Sequence, residues 1–277
     1  MRIKITVEEI NVLGKFIKEK SGIVLDESKA YLFESRLSPL VEELNCENYA
    51  GLYALAKRDY TGKLNTRIID AVTTNETSFF RDKSPFLLAV QKLVPDFYEK
   101  NPAGTLRFWS AAASTGQEVY SVIMQLKDAG ISMPRFNMRF LATDISDTVI
   151  AKASRGRYTK FELGRGMDAS KLHKYFTESG NEWTIKDEIR AMAIFKKANL
   201  LDPLELTRLG RFDIIFCRNV AIYFSMEDKA KVFNCLGSML NPDGALVIGS
   251  TESLLNITDR FVKTEFRGMV YYKKRQL

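Results

Sequence analysis

The chain has 277 residues, 45% of them hydrophobic and 27% charged, with 41 Lys and Arg against 34 Asp and Glu and a formal net charge of +7. That length supplies cores for one large domain and a small one, no apolar run reaches the roughly 20 residues of a membrane span, and residues 1–6 lack the apolar centre of a secretion signal, so a cytoplasmic protein is expected. Three cysteines without metal-ligand spacing (Cys46, Cys217, Cys235) and a single histidine, His173, in a predicted surface helix leave no zinc site and little room for Ser-His-Asp chemistry.

Residues 1–72 read as helix throughout. Thr6 and Glu9 make a capping-box pattern ahead of Ile10, Leu13, Phe16 and Ile17, which share one face. Asp26 or Ser28 caps a second helix carrying Leu32, Leu37, Leu40, Val41 and Leu44. Tyr49, Leu52, Leu55 and Ala56 mark a third, and Leu64, Ile68, Ile69 and Val72 a fourth. A bundle of this kind positions a partner, and the basic charge favours an acidic one: nucleic acid, an anionic surface or a carboxylate-rich protein.

Residues 73–82 (Thr-Thr-Asn-Glu-Thr-Ser-Phe-Phe-Arg-Asp) put hydrogen-bonding side chains ahead of two anchoring aromatics and an arginine. That pattern suits either a ligand-binding loop or a capped interdomain turn. Pro85 opens a helix with Phe86, Leu87, Val90, Leu93 and Val94 on its apolar side, ending before Asn101-Pro102-Ala103-Gly104.

From Thr105 strands and helices alternate, the signature of a parallel sheet with helices on both faces. The first strand covers 105–110, and the turn Ala111 to Glu118 leads into a helix over about 116–129. The second strand, 138–143, ends in Asp144, with Ser146 as the next cap. The interval from Ala153 to Lys197 is too long for one crossover. It predicts a small antiparallel insert at about 155–195, with a helix near 172–176, a Gly180-Asn181 turn and strand-like pieces at 183–185 and 189–195 finishing in the third strand. A fourth strand, 212–217, runs into Arg218-Asn219. Ser225 caps a helix over 226–240, Asn241-Pro242-Asp243-Gly244 turns into a fifth strand at 245–249, and a hairpin at 261–266 and 270–273 completes seven. The fold class is therefore α/β: a seven-stranded doubly wound sheet with an inserted antiparallel subdomain, preceded by an all-α domain. The expected divisions are 1–72, 73–104 and 105–277.

Ligands of doubly wound sheets sit outside the carboxyl ends of the strands. Here those ends carry Ala111 to Glu118, Asp144, Asn199-Leu200 and Arg218-Asn219, which together offer small residues, a carboxylate for ribose hydroxyls, and amide groups for a base edge or an amino-acid tail. The Gly-x-Gly-x-x-Gly turn that admits a pyrophosphate is absent and only Gly116 remains, so S-adenosylmethionine fits better than a dinucleotide.

Thr-Thr-Asn-Glu-Thr-Ser-Phe-Phe-Arg (73–81), Trp-Ser-Ala-Ala-Ala-Ser-Thr-Gly-Gln-Glu (109–118), Ala-Thr-Asp-Ile (142–145) and Phe-Cys-Arg-Asn-Val-Ala-Ile-Tyr-Phe (216–224) resemble the motifs of the chemotaxis receptor methyltransferases, the CheR family. The resemblance covers nearly the whole chain in order. It implies methyl transfer from S-adenosylmethionine to glutamate carboxylates of chemoreceptors, without a metal, giving methyl esters and S-adenosylhomocysteine. It further implies cofactor contacts from Asn75, Thr77, Arg81, Glu118, Asp144, Asn199, Leu200, Arg218 and Asn219, with Arg81 and Tyr223 nearest the reacting methyl. The residue pattern itself places Ala111 at the start of the same wall. Lys29 and Arg36 either meet acidic receptor helices or form a solvated face.

Two departures from the family pattern stand out. Many relatives carry a His at or beside Thr251 in the Gly249-Ser250-Thr251-Glu252-Ser253 segment, and the turn at Gly180 is short, which implies receptor recognition without a C-terminal pentapeptide tether. The competing readings are a nucleic-acid methyltransferase and a non-catalytic cofactor-binding module. The first is disfavoured because no Pro-Pro pair follows the fourth strand.

Overall fold

The computed structural model describes residues 3–132 and 135–275, so Met1 and Arg2 of the stretch read for a secretion signal lie outside the described residues. The N-terminal helices are α1 (Val7–Ser21), α2 (Ala30–Glu43), α3 (Tyr49–Lys57) and α4 (Lys63–Val72). Thr6 caps α1 by accepting from the Glu9 amide while Glu9 accepts from the Thr6 amide at 2.9 Å, a reciprocal box. Asp26, not Ser28, is the cap at the next helix start, accepting the Ser28 amide at 3.0 Å over a short 3-10 turn that runs into α2. Leu13, Ile17, Phe33, Leu37, Val41, Tyr49, Leu52 and Ile68 close the bundle core and are fully shielded. Removing such a side chain from water contributes about 1.5–3 kcal/mol.

A bent helix follows, α5 (Ser84–Leu88) and α6 (Val94–Lys100) joined by a π turn at Ala89–Leu93. Pro95 has no N–H for the regular ladder, and the Val94 amide reaches back to the Ala89 carbonyl.

The sheet and its insert run β1 (Thr105–Ala111), α7 (Gln117–Asp128), β2 (Asn137–Asp144), α8 (Asp147–Arg155), β3 (Arg157–Thr159), α9 (Lys160–Gly164), α10 (Ala169–Tyr175), β4 (Phe176–Ser179), β5 (Glu182–Ile185), α11 (Asp187–Arg190), β6 (Ala193–Lys197), α12 (Pro203–Thr207), β7 (Phe212–Cys217), α13 (Met226–Met239), β8 (Leu240–Ile248), β9 (Phe261–Phe266) and β10 (Met269–Lys274). Seven strands pair in the order β6-β2-β1-β7-β8-β10-β9, the first five parallel and β10 antiparallel to both neighbours. From β1 the chain winds outward to β2 and β6, then recrosses to β7 and β8. The switch point therefore lies between β1 and β7, where such sheets open a crevice. Alternation along β1 sends Leu106 and Phe108 into the core under α7, and Trp109 and Ala111 into the core under α13.

The structure differs from the sequence expectation in three places. Residues 189–195 are not one strand: Ile189 is buried from the short helix α11, and only Ala193–Lys197 pairs with β2. The insert is a three-stranded sheet in the order β3-β5-β4, and Phe176 opens β4 after a helix that begins earlier than expected, capped by Asp168. Residues 241–244 form an irregular part of β8 instead of a free turn, because Leu240 already pairs with Phe212 and the extra residues bulge before Ala245 meets Ile214. His173 is exposed on α10, and all three cysteines are free thiols. No helix among the described residues is long and apolar enough to cross a membrane.

Candidate functional site

At the carboxyl ends of β1, β2, β6 and β7 lies a cleft of about 950 Å³, counted to its open mouth. Its first wall is the turn after β1. Ala112, Ser114 and Gly116 all adopt left-handed backbone, with φ of 62°, 49° and 91°, although only one of them is glycine. A side chain in that region costs about 1–3 kcal/mol and persists only where neighbours over-determine it. They do so here: the Ala113 amide donates to the Thr143 carbonyl (2.8 Å), the Ser114 amide to Asp144 Oδ2 (2.8 Å), and Ser114 Oγ to the Asn75 carbonyl (3.0 Å). The wall begins at Ala112. Ala111, expected in it, instead ends β1 with its methyl in the core under α13, off the cleft, because strand alternation turns it away.

Asp144 stands at the tip of β2, almost wholly buried. Burial pushes its carboxyl above the usual carboxylate value, against the amides of Ser146, Ser114 and Ile145, which favour the ion. The Ser146 amide reaches Oδ1 at 3.1 Å.

Glu118 and Arg218 tie the first wall to the loop 73–83. Glu118 accepts from Ser110 Oγ (2.7 Å) and from Arg218 Nη1 (2.8 Å), while Arg218 Nη2 reaches Asp82 (2.7 Å) and the Arg81 carbonyl (3.1 Å). The Arg218 side chain is only 2% exposed, and its Nε–H has no acceptor among the described residues. Arg81 is half-buried at the cleft, its guanidinium donating to the Glu76 carbonyl at 3.2 Å. Asn75 and Thr77 line the cleft from the same loop.

Asn219 takes a left-handed turn (φ 57°) and its amide donates to Glu252 Oε2 at 2.7 Å; the Ala221 amide reaches the same carboxylate at 3.1 Å. Glu252 thus pins the loop that carries Tyr223 into the cleft, and no residue of 249–253 lines it. Asn199 and Leu200 line the cleft after β6, with Asn199 Nδ2 donating to the Lys20 carbonyl at 2.8 Å.

Sequence reasoning missed the contribution of the helical domain. Ser21 and Ile23, at the end of α1, line the cleft, and the Val24 amide donates to the Tyr223 carbonyl at 3.0 Å. Gly22 has φ 77°, and a Cβ there would come within 2.7 Å of Leu201, so the glycine both ends the helix and admits this close approach. Its position as an α1 C-cap was the one local signal available. Arg36 does not form a solvated face: its guanidinium turns inward to the Val72 carbonyl and Thr74 Oγ1. Lys29 donates to the Val24 carbonyl.

The cleft offers an ionisable carboxylate at a strand tip, two guanidinium groups and a phenol, and no histidine. Burial pushes the Cys217 thiol well up, which removes it as a nucleophile. Among the described residues no cluster of His, Cys, Asp and Glu is arranged to hold a metal ion. Such a site can bind and orient reactants that are already activated.

Residues 8–73 match the family described as CheR methyltransferase, all-alpha domain, and residues 75–270 match CheR methyltransferase, SAM binding domain. The chain is similar to the chemotaxis protein methyltransferase of Vibrio parahaemolyticus, 38% identical over 275 residues, covering 98% of each chain. It is also similar to chemotaxis protein methyltransferase Cher2 of Pseudomonas putida, 36% identical over 264 residues, covering 94% of this chain and 95% of the relative.

Proposed function

Because the chain belongs to the CheR methyltransferase family and is thereby an S-adenosylmethionine-dependent methyltransferase, we propose that it esterifies glutamate side chains of chemoreceptors in the cytoplasm. One observation supports this most: four separated segments, 73–81, 112–118, 199–200 and 218–223, meet with Asp144 around a single cleft.

The residues fit the cofactor. Asp144 keeps lone pairs beyond its two amide bonds and takes ribose hydroxyls. The wall at Ala112 to Ser114 carries nothing longer than a hydroxymethyl, so a ligand lies close to the main chain. The shielded Nε–H of Arg218 takes a carboxylate oxygen of the amino-acid tail. When bound, S-adenosylmethionine supplies a methyl already activated by its sulfonium, taken by a glutamate oxygen to leave S-adenosylhomocysteine.

The chain's own work is positioning. A glutamate of ordinary pKa, about 4.3, is ionised at neutral pH, so no general base is needed. Arg81 holds the incoming carboxylate with its planar fork, and Tyr223 packs across the cleft, excludes water and donates a hydrogen bond. Holding the two reactants in line accounts for several kcal/mol of barrier lowering. The hairpin of β4 and β5 has only Gly180 and Asn181 between its strands, which supports receptor recognition without a pentapeptide tether.

Tritiated-methyl transfer to receptor-containing membranes tests the reading, with alkali-labile methanol as the product of an ester. Label entering RNA, or no label at all, refutes it. Calorimetry with a receptor-tail pentapeptide tests the tether, and micromolar binding overturns that part alone.

A further inference from the structure

The inserted subdomain touches two of the segments that wall the cleft, the turn after β1 and the loop 73–83, and one of its side chains reaches both. Tyr158, the middle residue of β3, is fully buried, and its hydroxyl donates to the Thr115 carbonyl at 2.7 Å, inside the strained turn after β1. Its ring meets Phe79 edge-on, with centroids 5.0 Å apart, in the loop that carries Arg81. The insert also meets that loop through Phe176, whose ring lies edge-on to Phe79 with centroids 5.6 Å apart, and at Gly166, where φ is 103° and a Cβ would lie 2.0 Å from the Phe79 carbonyl oxygen. On the far side of the loop the Phe80 amide donates to Ser121 Oγ at 2.9 Å. Phe80, Asp82 and Lys83 have positive φ, so this loop too needs outside support.

Resting on the cofactor reading above, we propose that Tyr158 is a positioning residue for S-adenosylmethionine: it sets the spacing of the two cleft walls from behind, and the insert is part of the cofactor site. Burial holds the phenol well above its ordinary pKa, so it remains a donor throughout any practical assay range.

Tyr158→Phe removes the bond to Thr115 and leaves the ring against Phe79. Losing one buried hydrogen bond that orders the turn is expected to weaken S-adenosylhomocysteine binding by roughly three- to tenfold in calorimetry. The KM for S-adenosylmethionine rises alike, while kcat and the KM for receptor stay within about twofold of the parent.

Tyr175→Phe is the control. Tyr175 is an equally buried phenol of the insert, bonded to Asp128 at the remote end of α7, and its loss is expected to lower thermal stability without moving cofactor affinity. Should Tyr158→Phe fail to accumulate, Gly166→Ala, which must push on the Phe79 carbonyl, carries the same expected loss of affinity. Unchanged affinity in Tyr158→Phe, or an equal loss in Tyr175→Phe, overturns the proposal. A parent protein that binds no S-adenosylhomocysteine removes the cofactor reading itself.

Discussion

Replacing Arg218 by Met keeps most of the side-chain volume and deletes a buried guanidinium that pairs with Glu118 at 2.8 Å and Asp82 at 2.7 Å. The two carboxylates then fare differently. Asp82, a third exposed, rehydrates, whereas Glu118 is 13% exposed and keeps only the Ser110 hydroxyl. Removing one partner of a buried pair typically costs about 3–5 kcal/mol, and the partial exposure of Asp82 puts this case near the lower figure, about 3 kcal/mol. At roughly 2–4 °C per kcal/mol for a domain near this size, the thermal midpoint falls by about 6–12 °C. Neutralising the stranded carboxylate in Arg218→Met/Glu118→Gln recovers about 1–2 kcal/mol, so the double variant is more stable than the sum of the single losses. Scanning calorimetry of the four proteins measures this. A single variant within about 1 kcal/mol of the parent, or a double variant showing simple additivity, refutes the burial argument.

Arg81→Ala removes a half-exposed guanidinium with no buried ion pair. Methyl transfer is expected to fall by about 100-fold or more with stability changed by less than about 0.5 kcal/mol, and near-normal turnover in the tritium assay excludes the role. Since burial raises the Asp144 pKa, cofactor affinity is expected to weaken on acidification before an ordinary aspartate would protonate. Asp144→Asn should bind weakly and without that dependence, and parallel titrations of the two proteins by calorimetry decide it. Asp128 offers a stability test. Burial pushes its carboxyl up, but hydrogen bonds from Lys171, Lys174 and Tyr175 outweigh this and hold it at about 2, below its ordinary 3.8. A depressed carboxyl stabilises the fold above its unfolded pKa and loses that contribution as pH falls through the folded one. Acid unfolding should therefore gain steepness between about pH 4 and pH 2, and Asp128→Asn should remove that part; an identical acid limb in both proteins contradicts the assignment.

Features set by neighbours along the chain were legible in the amino-acid sequence. The Thr6-Glu9 box, the helical period of Ile10, Leu13 and Ile17 and the Ser225 cap each depend on residues a few positions apart, and each occurs where local chemistry puts it. The seven strands followed from alternation and spacing, and the motifs at the strand ends already singled out the residues that gather at the cleft, Ala111 excepted. Where strand pairing between distant residues overrides a local turn signal, the sequence expectation fails. Asn-Pro-Asp-Gly reads as a turn from its residues alone, yet Leu240 pairs with Phe212 ahead of it and draws the segment into β8.

Contacts between residues far apart in the chain came from docking of whole elements: Ser21 and Ile23 on the cleft, Arg36 turned inward to Thr74, Glu252 beneath Asn219, and Tyr158 behind Thr115. The left-handed backbone at Ala112 and Ser114 belongs with them, since nothing in an alanine or a serine requires it and bonds from the tip of β2, the 73–81 loop and Tyr158 hold the turn there. The physical reason is the range of the forces recorded in sequence patterns. Periodicity and capping report contacts along one element, whereas the cleft is made where separate elements dock, and its geometry exists only once all of them are in place.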